Sequence, residues 1–435
     1  MPVFRIMNKK NLLVKIVLAA FVILLLLSLI APAVFPQRAE DIRPPRQETL
    51  LNGLKVIMLS NPRSDKVELK LRINSGSAFD PQGKEGVMKL LSDAIFPNPE
   101  AKNAFAEDLG GSLSVDTTYD YIEISATAKP EQFLTMLDTV ANAVSNIDVD
   151  KDSTAKLKTA QLARVQELER DPAYVADQAV AKRLFGTFPY GRPVDGTADS
   201  IAKVTFADLI DAKLRFLTSD NATLAISGNF DSDLAYRGAR RLFGGWIKAD
   251  KKTPSTFRQP DAPDVTLQSV TVDGGGDKEL RYAVRGVARK DASYAAAEVL
   301  ADIMRARIAA KNETGATVKV ESDAHVLPGY FVISLSGRSV TPITNDPSQA
   351  ISQILSTKIT DAEFQAARSA VETRWRETDA MDLWLDVDTF KTAEPKNSGF
   401  TVTLPDIQTL ADKIGKLPVA SVIVERMAQT NSVPK

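Results

Sequence analysis

The 435-residue sequence has no cysteine and a single histidine, His325. Without cysteine there is no disulfide, thiolate zinc site, iron-sulfur cluster or thiol nucleophile, and one imidazole excludes any site needing two histidine ligands. An excess of one charge is missing as well. Fifty-four basic residues face 55 acidic ones, a net charge of -1, so the surplus needed to replace counterions on phosphates is absent and nucleic acid is not an expected partner. What is present is length: at roughly 100 to 200 residues per domain, the chain predicts two or three domains with their own cores.

Charge is also missing locally. Between Ile16 and Gln37 no residue is charged, and the apolar stretch over 16–36 supplies about the 20 positions that cross a hydrocarbon core. Arg5, Lys9, Lys10 and Lys15 precede it and no acid occurs before Glu40. The positive-inside rule therefore predicts a cytoplasmic segment 1–15, a single-pass anchor over 16–36 in the inner membrane, and a periplasmic soluble part if the cell is bacterial. The competing reading is a cleaved signal peptide, because Ala31-Pro32-Ala33 has the small-x-small form. Residues 37–48, polar and carrying Pro44-Pro45, read as an extended linker.

Beyond 48 the pattern alternates. Asn52-Gly53 between apolar runs predicts a hairpin, Val67 to Ile73 a strand, and Val87, Leu90, Leu91, Ala94 and Ile95 one face of a helix. Two strands, SLSV and YIEISATA, and a helix near 131–146 follow. The order returns about 200 residues later, from a strand at Glu279 to Val284 to a helix near 347–357. This predicts α+β architecture: the membrane helix, then two homologous domains over 49–244 and 265–435, joined by a linker at 245–264, each a mainly antiparallel sheet with helices on one face. Gly274-Gly275-Gly276 lacks the Lys-Ser/Thr of a phosphate loop and reads as a hairpin or linker turn.

NGLKVIMLSN, INSGSAFDPQGKEGVMKLL, FPYGRPVDGTADSI and LTSDNATLAISGNFD, in that order and spacing, resemble the first domain of pitrilysin/insulinase-type metallopeptidases, a family that includes mitochondrial processing peptidase. In active members the resemblance implies H-x-x-E-H on the helix after the glycine-rich turn, two zinc ligands and a general base on one helix face. Aligned through Gly86, those places hold Lys89, Ser92 and Asp93. Lysine cannot ligate zinc while protonated, serine is no carboxylate base, and one aspartate does not make the site. Counting back from Asp171-Pro172 puts the downstream ligand place at Arg164, with Glu167 and Glu169 within one or two turns. The bland reading of Lys89 and Asp93 is an i, i+4 surface pair.

The family's second domain supplies an arginine and a tyrosine to the substrate carbonyl; the matching stretch KNETGATV puts Lys311 and Val318 there. His325 reads as a solvated or satisfied polar residue, with a pH-sensitive contact as the alternative. The apolar run and the resemblance together lead to the expectation of a membrane-anchored, catalytically degenerate member without a cofactor, its domains facing each other across a cavity. Such a chain would bind extended peptides by adding them to a sheet edge, as the heterodimeric partner of an active member. An active zinc endopeptidase with an unorthodox site and an envelope scaffold with no peptide role are the alternatives.

Overall fold

The computed structural model describes residues 44–249, 257–273, 277–395 and 400–427. The anchor expected over 16–36, the segment before it and Gly274 to Gly276 lie outside the described residues. No described helix is long and apolar enough to cross a membrane.

The first half builds a six-stranded sheet from β1 (Arg46–Thr49), β2 (Lys55–Ser60), β3 (Val67–Ile73), β4 (Ser112–Thr117), β5 (Ile122–Ala128) and β6 (Ala222–Gly228), in the order β1-β2-β6-β3-β5-β4. The second half builds five strands, β7 (Leu267–Asp273), β8 (Lys278–Arg285), β9 (Thr317–Asp323), β10 (Tyr330–Gly337) and β11 (Ala420–Met427), in the order β7-β11-β8-β10-β9. Without β1 the two orders superpose strand for strand. Each sheet is mixed: β2 with β6 and β7 with β11 run parallel, and every other pair is antiparallel. Two boundaries move. Residues 46–48 pair with β2, so the linker expected over 37–48 gives way to strand at Arg46. Trp246 is buried in the first core, so that core outlasts residue 244.

One face of the first sheet carries helices of its own half, α1 (Val87–Asp93), α2 (Phe133–Ser145) and others, on a core that includes Leu69, Leu71, Leu224 and Ile226. The second sheet does the same with α6 (Tyr294–Lys311). The other faces depart from expectation, for each is covered by a helix of the opposite half. Long helices α3 (Lys151–Leu168) and α7 (Asp361–Glu377) each lead into a shorter one, α4 (Pro172–Phe185) and α8 (Ala380–Phe390). From the first half, α4 sets Ala176, Val180 and Leu184 against Ala283, Val422 and Val424 of the second sheet. From the second, α8 sets Met381, Trp384 and Leu385 against Ile57 and Ala225 of the first.

Alternation explains the exchange. In β3 the apolar side chains Leu69, Leu71 and Ile73 point one way, so Lys70 and Arg72 point the other. They meet acids spaced along α8: Lys70 Nζ lies 2.8 Å from Asp379 and 2.7 Å from Asp382, and Arg72 lies 2.8 Å from Asp386. Arg281 of β8 repeats the device with Asp177 of α4 at 2.6 Å. Arg72 and Arg281 are only 3–4 % exposed, so these pairs are expensive to break by removing one partner. Among the described residues the halves are interlocked through these exchanged helices. A space of about 560 Å³ remains between the start of α4 and β8, β9 and β10, lined by Asp177, Arg281, Lys319 and Tyr330.

Candidate functional site

The helix that would carry the family's chemistry, α1, has glycine at its N-cap. Gly86 adopts φ 98° and supplies no side-chain acceptor for the free amides of the first turn. Asp80 supplies it from outside the helix, its two carboxylate oxygens accepting from the amides of Gly86 and Met88, both at 2.8 Å. Burial pushes the Asp80 carboxyl up to about 7 even though those two amides favour its charged form. Arg192 of the FPYGRP segment donates to the Asp80 carbonyl at 3.0 Å. The VDGT turn packs on the same end: a Cβ at Gly196, φ 75°, would meet the Glu85 carbonyl oxygen at 2.3 Å, and Ser200 donates to that oxygen at 2.8 Å. Asp80, Arg192 and Gly196 lie within stretches already singled out in the sequence, but their joint task, holding the start of α1, follows only from the fold.

Lys89, Ser92 and Asp93 do share one helix. Lys89 is 5 % exposed and its ammonium is paired with Asp93, so the surface-pair reading is corrected: one member is inside. Every residue of α1 from Val87 to Ser92 is buried, so the Lys89 alkyl chain is enclosed whichever way it leaves the helix, and only the Asp93 end of the pair reaches solvent. Ser92 is fully buried, donates to the Lys89 carbonyl at 2.8 Å and accepts from Thr117 of β4 at 2.7 Å. Arg164 lies on α4's predecessor α3, 3.0 Å from Asp195, whose carbonyl also accepts from Gln161. Since Asp195 abuts Gly86, Arg164 stands near the start of α1 but is not bonded to Lys89, Ser92 or Asp93. Glu167 pairs with Arg170 on the solvent side.

These side chains do not fit the zinc ion the family implies. Two are cations already paired with carboxylates, one is a hydroxyl bonded on both sides, and Asp93 is taken by Lys89. No group of three or more metal-ligating side chains is assembled among the described residues. Lys311 ends α6 in an exposed position, and Val318 in β9 packs on the second core opposite Leu335. Among the described residues neither is hydrogen-bonded or ion-paired to the α1 group.

His325 is neither solvated nor lone. Its Nδ1 lies 2.9 Å from Asp120 of the β4–β5 turn and its Nε2 lies 3.2 Å from Asp323. The ring stacks on Tyr190, 4.4 Å between centroids, and Tyr190 Oη donates to Asp120 at 3.1 Å. Burial alone would lower the imidazole pKa, but the hydrogen bonds to Asp120 and Asp323 outweigh it and raise it to about 10. The cation is thus held between the halves, with Asp120 and Tyr190 from the first and His325 and Asp323 from the second.

Two family profiles match the chain: Insulinase (Peptidase family M16) over residues 55–198 and Peptidase M16 inactive domain over residues 203–371. The chain belongs to the insulinase family. An uncharacterized zinc protease of Mycobacterium bovis is 25 % identical over 234 residues, 52 % of this chain and 53 % of that protein. The chain thus spans about half the length of the curated relatives it matches. A probable mitochondrial-processing peptidase subunit beta of Arabidopsis thaliana is 24 % identical over 254 residues, 57 % of this chain and 47 % of that one. The crystal structure of a peptidase M16 inactive domain from Pseudomonas fluorescens superposes with a TM-score of 0.75 at 20 % identity, covering 88 % of this chain and 98 % of that one. It shares the insulinase-family fold.

Proposed function

We propose that this chain is a catalytically inactive insulinase-family protein that binds extended peptide as the partner subunit of an active member, held at the periplasmic face of the inner membrane. The observation that carries the reading is the junction of α1 with β4. The helix keeps its place against the sheet, but Ser92 is spent on Thr117, and Lys89 and Asp93 on each other. Beside this group β4 is an edge of the first sheet, paired with β5 alone among the described residues. An edge strand offers backbone donors and acceptors to an added peptide, which needs no metal. Among the described residues each sheet face between the halves is packed by a helix of the other half, and we assign the enclosing of the peptide to a second chain. That is consistent with a relative named as a subunit of a processing peptidase.

Amide exchange on the chain with and without an unfolded peptide tests the reading. Slowed exchange in Ser112–Thr117, together with rate enhancement of a co-purifying peptidase, is the expected result. Chelator-sensitive cleavage by the chain alone would establish the enzyme reading instead. Unchanged exchange in β4 and no effect on any co-purifying peptidase would favour a scaffold.

A further inference from the structure

Helix α5 (Ser232–Phe243) buries Ala235, Ala239 and Phe243 at four-residue intervals against the first core. Its solvent side carries Arg237, Arg240 and Arg241, all exposed, and none of the three is ion-paired among the described residues. The acids around it are already engaged. Asp231 caps the helix, Asp233 lies 2.6 Å from Arg46, and Asp220 accepts from the Ala249 amide at 3.0 Å. Lys248 extends the basic stripe past the helix end.

Apolar groups flank the stripe. Asn52 donates to the carbonyls of Phe243 at 2.8 Å and Trp246 at 3.1 Å, which sets the β1–β2 turn against the C-terminal end of α5. The side chain next to it, Leu51, is fully exposed, and Ile247 is 49 % exposed. A bare leucine at a turn tip beside unpaired arginines has nothing to contribute to this fold. It matches an interfacial surface, in which basic groups meet headgroups and apolar side chains enter the acyl boundary.

The covalent path points the same way. Arg46, two residues after Pro44, lies over the ring of Tyr236 in α5, 5.5 Å from its centroid. Nine residues, 37–45, separate the apolar run from Arg46, about 30 Å at full extension. We infer that the α5 face, with Leu51 and Ile247 at its end, docks on the anionic phospholipid surface of the membrane that holds the chain's own anchor. This rests on the anchor reading above. The tether confines the arginines to within a few nanometres of the surface, so that they repeatedly sample the roughly 10 Å over which its attraction acts.

The absence of cysteine makes Leu51→Cys a single labelling site for an environment-sensitive fluorophore on the full-length chain. In phosphatidylglycerol-containing vesicles the label gains intensity and shifts to the blue, high salt reverses this, and pure phosphatidylcholine vesicles give no change. Arg237→Gln, Arg240→Gln and Arg241→Gln together lower the ratio of docked to undocked chain about a hundredfold, abolishing the signal. An equal response to both lipids, or one that survives the triple change, overturns the inference. So does a label silent on both, which would leave an acidic protein as the partner of the arginines. Carbonate extraction of the same vesicles separates the two ideas. A chain released by carbonate whose label still answers to phosphatidylglycerol loses the anchor and keeps the docking face. One that resists carbonate with a silent label keeps the anchor and loses the face.

Discussion

The imidazole of His325 and the carboxylate of Asp120 meet at 2.9 Å across 205 positions of sequence, one from each half. Around this contact the β4–β5 turn of the first sheet and the loop between β9 and β10 of the second close on each other. Leu327 donates its amide to Tyr190 Oη at 3.1 Å, and Val326 donates to Asp120 at 3.3 Å. Together with the exchanged helices α4 and α8 this makes the two halves one cooperative unit.

Replacing His325 by alanine should therefore cost more than an ordinary polar deletion. It leaves Asp120, 4 % exposed, without its cationic partner, and breaking one side of a buried pair costs about 3–5 kcal/mol. Urea unfolding should show one transition at a lower midpoint. Two separated transitions would show that the halves unfold independently and that the contact is not a clasp.

Stability should fall as pH rises from about 4 to about 10, in two limbs. For Asp80 the folded value is raised to about 7 from 3.8, so the unfolded chain ionises first and folding weakens across that window. For His325 the folded value is raised to about 10 from 6.5. Its contribution is full below 6.5 and is lost as pH climbs through 10, since the folded state then gives up its extra proton. Each limb is on the order of a few kcal/mol. Melting temperatures across this range should show Asp80→Asn flattening only the acid limb and His325→Asn only the alkaline one. Loss of both slopes in either variant would mean the two groups are coupled.

The repeated succession of strands and helices, and the helix after Gly86, were legible in sequence, because strand alternation and helical periodicity are local patterns. The exchange of α4 and α8 was not. Nothing local in the sequence links Asp177 in α4 to Arg281 or Asp382 in α8 to Lys70, because each partner comes from the other half. His325 is the satisfied polar residue of the two alternatives, but its partners were hidden for a related reason: Asp120 and Tyr190 reach it only when the halves close. Lys89 is the instructive case. The apolar face marked by Val87, Leu90, Leu91, Ala94 and Ile95 leaves it out and the i, i+4 aspartate suggested solvent, yet α1 is buried on nearly all sides and a long alkyl chain lets the ammonium reach Asp93 from inside.

That geometry makes the two members of the pair unequal. Asp93→Ala strands a buried ammonium and should destabilise by about 3 kcal/mol, whereas Lys89→Met leaves a one-third-exposed carboxylate that water can solvate and should be nearly neutral or stabilising. Chemical denaturation of the two variants decides this. Equal losses would mean that Lys89 reaches water and the pair is a surface one after all.

Restoring the family's residues should not restore its chemistry. Lys89→His, Ser92→Glu and Asp93→His place the three groups on α1, but Ser92 is fully buried against Thr117, and a larger side chain there overpacks the junction at about 1–3 kcal/mol. Arg164 stays near the start of the helix as a cation, where a divalent ion needs a carboxylate. The Val318 position still lacks a hydrogen-bond donor, and losing one oxyanion donor costs about 10² to 10³ in turnover. The triple variant is thus expected to retain little zinc after dialysis and to cleave no unfolded peptide. Adding Arg164→Glu breaks only a half-exposed pair with Asp195, worth about 1 kcal/mol or less. The quadruple variant should therefore fold like the triple and bind zinc more tightly, read by elemental analysis. If the triple variant alone cleaves peptide in a chelator-sensitive way, the downstream ligand is not at position 164 and the correspondence drawn from Asp171-Pro172 is wrong.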